Sequence, residues 1–444
     1  MTSIDARQDA APAGGGPLAE TWTPIRILVV SLCFVLNMLD GADMLIIAFV
    51  APVISNDWGL RPEALGAVFA ASLPGMAVGC VFVAPLGDRF GRRNLIMGAL
   101  GLVAIAMIVS GFVETIRDLI ILRFLVGVGV GTIGVTMTSM ATEFAPARHS
   151  SFAAGLVQAG WPVGSIITAF VTALVIEQTG WRPPLISIGV LCLVLLAVVF
   201  VLLPESFSFL LRRGRDGDLV KARGIASRLG VDFEARLALA AKTGPERRGL
   251  RFLMAGDRLK NTLLLWLAAS FGYFVLYFLI SWIPKLAVDS GLPIEDAIYA
   301  GATYNFGAFL GTAMMGWLAI RFRVSRVIAS LFSASIFAML VFGGTSLPVL
   351  PTLIIAACVG ITVQGGFNGF WALAAKVYPP ELRSTGIGLA LGVSRIGAFL
   401  GPLVGGFLLG AGLSIFQLFA VFCVAAFIAG MTALFIQEPA VQEN

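Results

Sequence analysis

The chain is a succession of long apolar runs broken by short polar turns. Twelve such runs cover roughly 25–54, 64–86, 94–112, 118–142, 151–174, 182–203, 261–287, 295–320, 325–343, 350–377, 384–409 and 414–437. A helix of about 20 apolar residues crosses the hydrocarbon core of a bilayer, so each run reads as a spanning helix. The strict apolar–polar alternation of a membrane β-barrel strand is absent. The pattern predicts an all-α membrane protein with twelve transmembrane helices.

The densest polar interruption is Pro85-Leu86-Gly87-Asp88-Arg89-Phe90-Gly91-Arg92-Arg93, between the second and third runs. Basic residues favour the cytoplasmic side, which places this turn there. A weaker copy, Gly316-Trp317-Leu318-Ala319-Ile320-Arg321-Phe322-Arg323, follows; aligning Gly87 with Ala319 gives an offset of 232 residues. A second pair of turns, Glu143-Phe144-Ala145-Pro146-Ala147-Arg148 and Val377-Tyr378-Pro379-Pro380-Glu381-Leu382-Arg383, is offset by 235 from Arg148 to Arg383. Concordant offsets of about half the chain predict two six-helix halves in parallel repeat, with a substrate site between them at mid-membrane. The expected organisation is a disordered cytoplasmic tail over 1–22, an N-terminal half over 23–203, a linker over 204–260, a C-terminal half over 261–437 and a tail over 438–444. Both termini are expected in the cytoplasm.

Composition agrees with the pattern. Of 444 residues, 58% are hydrophobic and 12% charged, and the mean hydropathy is +0.94; soluble domains carry about 25% charged residues. The formal charge of +5 is concentrated in residues 204–260, which hold 13 Lys/Arg against 7 Asp/Glu. Without interleaved aromatics, that excess suits a cytoplasmic loop facing anionic headgroups, not nucleic acid. Leu219–Leu229 and Phe233–Ala241 are spaced as short amphipathic helices lying on the inner face. Of the Lys and Arg residues, the expected outer loops hold only Arg61, Arg117, Arg182 and Lys285. No short apolar run follows a basic start, so no cleavable signal peptide is expected. Five cysteines, all within apolar runs and without paired spacing, read as small core hydrophobes, not disulfides or metal ligands. His149, the only histidine, lies in a turn, and no nucleophile–base set, phosphate loop or zinc spacing is present. These features argue against an enzyme and against any cofactor beyond a proton gradient.

Charges inside the spans carry the chemistry. An ionised side chain at the bilayer centre costs about 2.5–3.5 kcal/mol on insertion scales. Asp40 and Asp43, midway along the first span, share one helical face. Protonation removes the cost, and a pair poised to gain and lose protons suits a proton-coupled carrier, with Asp43 ahead of Asp40. The residues leave open that each acid is permanently paired with an Arg, or caps a helix broken at Gly41. Arg stays charged in proteins. Arg395, deep in the eleventh span, needs a substrate carboxylate or the Asp pair; Arg123 either binds substrate or snorkels outward.

Polar and aromatic groups at membrane depth are candidate pocket residues: Asn37, Gln158, Trp161, Tyr304, Asn305, Gln364 and Asn368. The seventh span adds Tyr273 and Tyr277 among Phe271, Phe274, Phe278 and Trp282, and amphipathic rings suit a flat substrate. Glu143 lies at the depth of the Asp88 turn, so Asp88, Arg89, Arg92, Glu143, Arg148 and Arg383 are candidate gating residues. The series Gly127, Gly129, Gly131; Gly155, Gly160, Gly164; and Gly397, Gly401, Gly405 read as close-packing or sliding seams.

These residues together resemble the major facilitator superfamily over essentially the whole chain. The Pro85–Arg93 segment resembles its signature loop, with Ala84 where Gly usually begins the pattern. The resemblance implies that Asp88 and its Arg neighbours lock the inner gate against the eleventh helix, and that Ile320 weakens the second copy. More narrowly, Asp40-Gly41-Ala42-Asp43, then Ala51-Pro52 and Trp58, with Arg123-Phe124-Leu125, Glu143-Phe144 and Ser394-Arg395-Ile396-Gly397, resembles the aromatic acid:proton symporter family. That implies import of an organic acid anion, aromatic in the first instance, with protons, by a multi-pass monomer of the bacterial inner membrane. A dicarboxylate or other solute symporter, a proton-driven exporter and a non-transporting sensor remain as alternatives.

Overall fold

The computed structural model of the chain describes residues 21–242, 258–345, 347–378 and 383–437. The long helices, in chain order, are α1 (Pro24–Asp57), α2 (Pro62–Val78), α3 (Arg92–Ser110), α4 (Ile116–Phe144), α5 (Ser150–Thr179), α6 (Arg182–Leu202), α7 (Arg258–Asp289), α8 (Ile294–Arg321), α9 (Val324–Gly344), α10 (Val349–Val377), α11 (Arg383–Gly410) and α12 (Ile415–Leu434). Among the described residues, eleven helices are long and apolar enough to cross a membrane; α8 is as long but falls outside that set. Its sequence is diluted by glycines, alanines and the run Thr303-Tyr304-Asn305, the composition of a helix that packs backbone to backbone.

Most helices exceed the apolar runs that announce them, because polar turns at their ends remain helical. Thr115 caps α4 by accepting from the Asp118 amide, and Ser414 and Gln417 form a reciprocal capping box on α12. The second run is not one regular helix. After Val78 it widens into a π-turn (Gly79–Val83), tightens to 3-10 (Ala84–Leu86) and closes with Gly87–Phe90. Pro85 lacks the N–H that a regular helix would donate four residues back. Gly91, at φ +97°, then reverses the chain.

Within each half, glycines set the helix spacing. A Cβ on Gly75, Gly79 or Gly127 would collide with the backbone of Phe124, Val128 or Ser72, between α2 and α4. A Cβ on Gly307, Gly311 or Gly360 would collide with Ala357, Ile361 or Tyr304, between α8 and α10. The second set repeats the first at an offset of 232 (Gly75 to Gly307) or 233 (Gly127 to Gly360). Gly164 against Met38, and Gly397 against Ser270, repeat likewise between α1–α5 and α7–α11. Pro52 and Pro284, inside α1 and α7, are also 232 apart. Internal duplication is thus written into the packing. Gly155 departs from the expected seam, having nothing within 4 Å of a Cβ position.

The halves meet mainly through α2–α11, α5–α8 and α1–α7. Their close contacts lie toward the ends that carry Arg61 and Lys285. There a Cβ on Gly66 would be 2.8 Å from the Pro402 carbonyl. Phe49 fills the space beside Gly301, and Phe69 meets Trp282 edge-on at 5.2 Å. Toward the opposite ends, Gly134 and Gly155 of one half and Gly388 and Gly392 of the other have open space around them. Among the described residues, the contacts between the halves gather at one end, and at the other the glycines named face open space.

Between the halves, the chain forms three short helices, Phe207–Arg213, Asp216–Leu229 and Phe233–Lys242. The last two match the amphipathic segments expected from sequence. Arg26 at the start of α1 donates to the Leu229 carbonyl at 3.2 Å. Of the expected N-terminal tail, residues 1–20 lie outside the described residues, but Trp22 is ordered, 6.1 Å from the His149 ring and 6.5 Å from Phe152. Residues 243–257 and the 438–444 tail also lie outside the described residues. All five cysteines are free; Cys358 is exposed on its helix, so it is not the core residue expected.

Candidate functional site

The site is built around α1. Gly41 lets the Trp161 carbonyl of α5 lie directly against that helix. The close approach is reinforced by Asn37, whose amide donates to the Val157 carbonyl at 2.7 Å and to Gln158 at 3.3 Å. Asn37 and Gln158 therefore tie α1 to α5. The acids flanking Gly41 face different surroundings. Asp43 pairs with Arg123 of α4 at 3.3 Å, with both side chains 2% exposed; Arg123 also contacts the Met107 thioether. Arg123 does not snorkel outward: a buried carboxylate and a soft sulfur hold it in the bundle.

Asp40 is half-buried, and its Oδ1 has no hydrogen-bond partner among the described residues. The cation whose charge acts on it is Arg395, on α11 of the other half. Arg395 is half-buried, with Nη1 3.9 Å from the Met76 sulfur. Its charge is also felt by Tyr273, Tyr277 and Cys80. Tyr273 opens an aromatic cluster: Phe367 at 4.5 Å, Tyr277 at 5.7 Å and Trp371 at 6.2 Å. A guanidinium beside a wall of rings can hold a carboxylate and the flat group attached to it.

The remaining pocket candidates divide. Trp161 and Gln364 are half-buried. Tyr304 is 1% exposed, and Asn305, 2% exposed, bonds the Gly301 carbonyl at 2.8 Å. Asn368 bonds Thr312 at 2.7 Å, linking α10 to α8. Of the other seventh-span rings, Phe274 and Phe278 stack on Phe422 at 4.7 and 3.6 Å in the C-terminal core, and Trp282 serves the end closure. Phe367, Trp371, Met76 and Cys80 were not anticipated. The first two sit four residues apart in the glycine-rich stretch of α10, beside Gln364 and Asn368. The thioether and thiol carry no sequence signal.

Near the open end, Glu143 is a hub. It binds Arg92 at 2.5 Å and accepts from the Ser206 hydroxyl at 2.8 Å and the Ser208 amide at 2.7 Å. Among the described residues, Asp88 is not paired with the eleventh helix. Its partners are Arg212 at 3.3 Å and Arg92 at 3.8 Å, and its side chain is 61% exposed. Asp88 is exposed at this end and turns to the nearby Phe207–Arg213 helix. Arg89 lies over the Phe90 ring at 5.5 Å and Arg148 is exposed. The Arg383 side chain lies outside the described residues.

A duplicated bundle of apolar helices, with buried charges and rings between its halves, defines a membrane-transport fold. The chain belongs to the Major Facilitator Superfamily, whose family model matches residues 32–390 and, in a second match, 265–444. It is 34% identical over 427 residues to "4-hydroxybenzoate transporter PcaK" of Pseudomonas aeruginosa, covering 94% of this chain and 93% of that one. It is 31% identical over 409 residues to "Gallate transporter" of Pseudomonas putida, covering 92% and 91%. Among solved structures, the inward open conformation of the xylose transporter XylE from E. coli superimposes with a TM-score of 0.72 at 16% identity, covering 94% of this chain and 98% of that one. These relatives and neighbours are transporters, not enzymes.

Proposed function

We propose that the protein imports a small aromatic carboxylate together with protons across the bacterial inner membrane by alternating access. The observation that carries this reading is Arg395, half-buried between the halves beside Asp40 and the Tyr273 ring cluster. The guanidinium takes the carboxylate, and Tyr273, Tyr277, Phe367 and Trp371 take the ring. Protonation of a buried acid on α1 is coupled to occupancy. The names of the relatives support an aromatic acid, and the ring wall favours one over an aliphatic dicarboxylate.

In this reading α8 also spans the membrane, giving twelve spans with both termini cytoplasmic, and the site is complete in one chain. With the Pro85–Arg93 turn in the cytoplasm, the conformer described is inward-facing. The Glu143–Arg92 hub and the Asp88 pairs re-form around the inner closure when the halves rock.

The test is uptake into proteoliposomes under an imposed inward proton gradient. Benzoate, 4-hydroxybenzoate and gallate are compared with an aliphatic dicarboxylate, for wild type and Arg395→Ala. Gradient-driven accumulation of an aromatic acid, lost in the variant, is expected. Accumulation of the dicarboxylate alone, or outward pumping, overturns the reading.

A further inference from the structure

Asp40 and Asp43 lie about one turn apart on α1, yet they answer to different cations. Asp43 is bonded to Arg123 within its own half, and both side chains are out of contact with water. Asp40 feels Arg395, across the interface between the halves. The other groups facing Asp40 are Asp43 on its own helix, Cys80 in the π-turn that follows α2 and Tyr277 on α7. Its remaining flank borders an apolar cleft lined by Leu36, Leu100, Val130 and Cys192, which offers no countercharge. Arg395, for its part, is held by the Met76 thioether, a weak acceptor that a carboxylate readily displaces.

We propose that ionised Asp40 and the substrate carboxylate compete for Arg395, so that Asp40 is the group that exchanges the proton, while Asp43 and Arg123 remain a fixed ion pair. This rests on the aromatic-acid symport reading and reverses the order in which the sequence alone ranks the two acids. The physical argument is one of charge balance. Two anions beside one guanidinium in a low-dielectric site repel each other, and a proton on Asp40 removes the repulsion. The anion therefore loads with Asp40 neutral. On the inner side, its departure returns Arg395 to Asp40, which releases the proton. Because Arg395 and Asp40 belong to different halves, the exchange also changes the attraction across the interface that must rock. Asp43 cannot take this part, since protonating it strands Arg123 as a buried, uncompensated cation.

The experiment uses full-length protein in proteoliposomes, with radiolabelled 4-hydroxybenzoate as probe, and three readouts: gradient-driven accumulation, exchange of labelled for unlabelled acid, and affinity against pH. Wild-type affinity is expected to fall by about tenfold per pH unit once Asp40 ionises, the linkage of one proton. Asp40→Asn is expected to keep exchange, lose accumulation and bind with an affinity that no longer depends on pH. The double variant Asp43→Asn/Arg123→Gln, whatever its rate, is expected to keep the wild-type pH dependence of affinity. Accumulation by Asp40→Asn, or a double variant whose affinity no longer depends on pH, overturns the assignment. Should the double variant not fold, the pH profile of Asp40→Asn decides: flat supports the proposal and wild-type-like contradicts it. A wild type that accumulates no aromatic acid overturns the symport reading itself, a result distinct from any of these.

Discussion

The two halves share a backbone and differ in chemistry. The glycine contacts of α2–α4 recur in α8–α10, and those of α1–α5 recur in α7–α11, at offsets of 232 and 233. At the same offsets Asp40 corresponds to Gly272, Asp43 to Val275, Arg123 to Ala356, Asp88 to Ile320 and Glu143 to Lys376. In the other direction Tyr273 corresponds to Gly41, Phe367 to Gly134 and Trp371 to Thr138. The N-terminal half carries paired charges, and the C-terminal half carries rings. Arg395 is the exception that joins them, a cation on the ring-bearing half that faces an acid on the other. Duplication supplied the moving frame, and divergence separated charge handling from ring recognition.

The largest effect should come from breaking the one ion pair that is fully buried among the described residues. Asp43→Asn leaves Arg123 unpaired, a loss of about 3–5 kcal/mol. A thermal scan in detergent should show a sharp fall in midpoint, largely restored by adding Arg123→Gln. The corresponding position, Val275→Asn, has no charge to strand and should be milder. Next come the seams. Gly164→Val and Gly397→Val, at equivalent places in the two halves, should each cost about 1–3 kcal/mol or more by overpacking. Gly388→Ala, which faces open space, should stay within about 0.5 kcal/mol. Unequal losses at the two seams would show that one half tolerates slack that the other does not.

Ring recognition should be sensitive on one side only. Trp371→Ala should raise KM for an aromatic acid by about tenfold, in line with about 0.5–1.5 kcal/mol per aromatic contact. Thr138→Ala, its counterpart, should leave uptake kinetics unchanged. The smallest effect is expected at the open end. Asp88→Asn removes exposed pairs with Arg212 and Arg92, worth about 0.2–1 kcal/mol, so the described conformer should keep its stability. A change in transport rate without a change in midpoint would place the role of Asp88 in the inner-closed state.

The frame was legible because apolar length, basic turns and glycine spacing are local signals that survive duplication. Asp40, Asp43, Arg123, Arg395 and Glu143 stood out because charge at membrane depth is costly and therefore conspicuous. Which acid met which cation was not legible, since Asp43 and Arg123 are brought together by α1–α4 packing and Asp40 and Arg395 by an interface between halves. Arg123, near the start of α4, could by sequence either bind substrate or snorkel outward; Asp43 draws it inward. The partners of Asp88 depend on which end of the molecule is open, and a single sequence serves both states. Phe367 and Trp371 passed as ordinary apolar residues until α10 placed them against Tyr273.

The central claim is that an organic acid and a proton move in the same direction through one site. The most direct measurement is external pH when unlabelled 4-hydroxybenzoate is added to lightly buffered proteoliposomes with no imposed gradient, holding wild type or Asp40→Asn. Wild type should alkalinise the medium as acid and proton enter together, and the variant should not. Acidification, or acid uptake with no proton movement, would contradict the account.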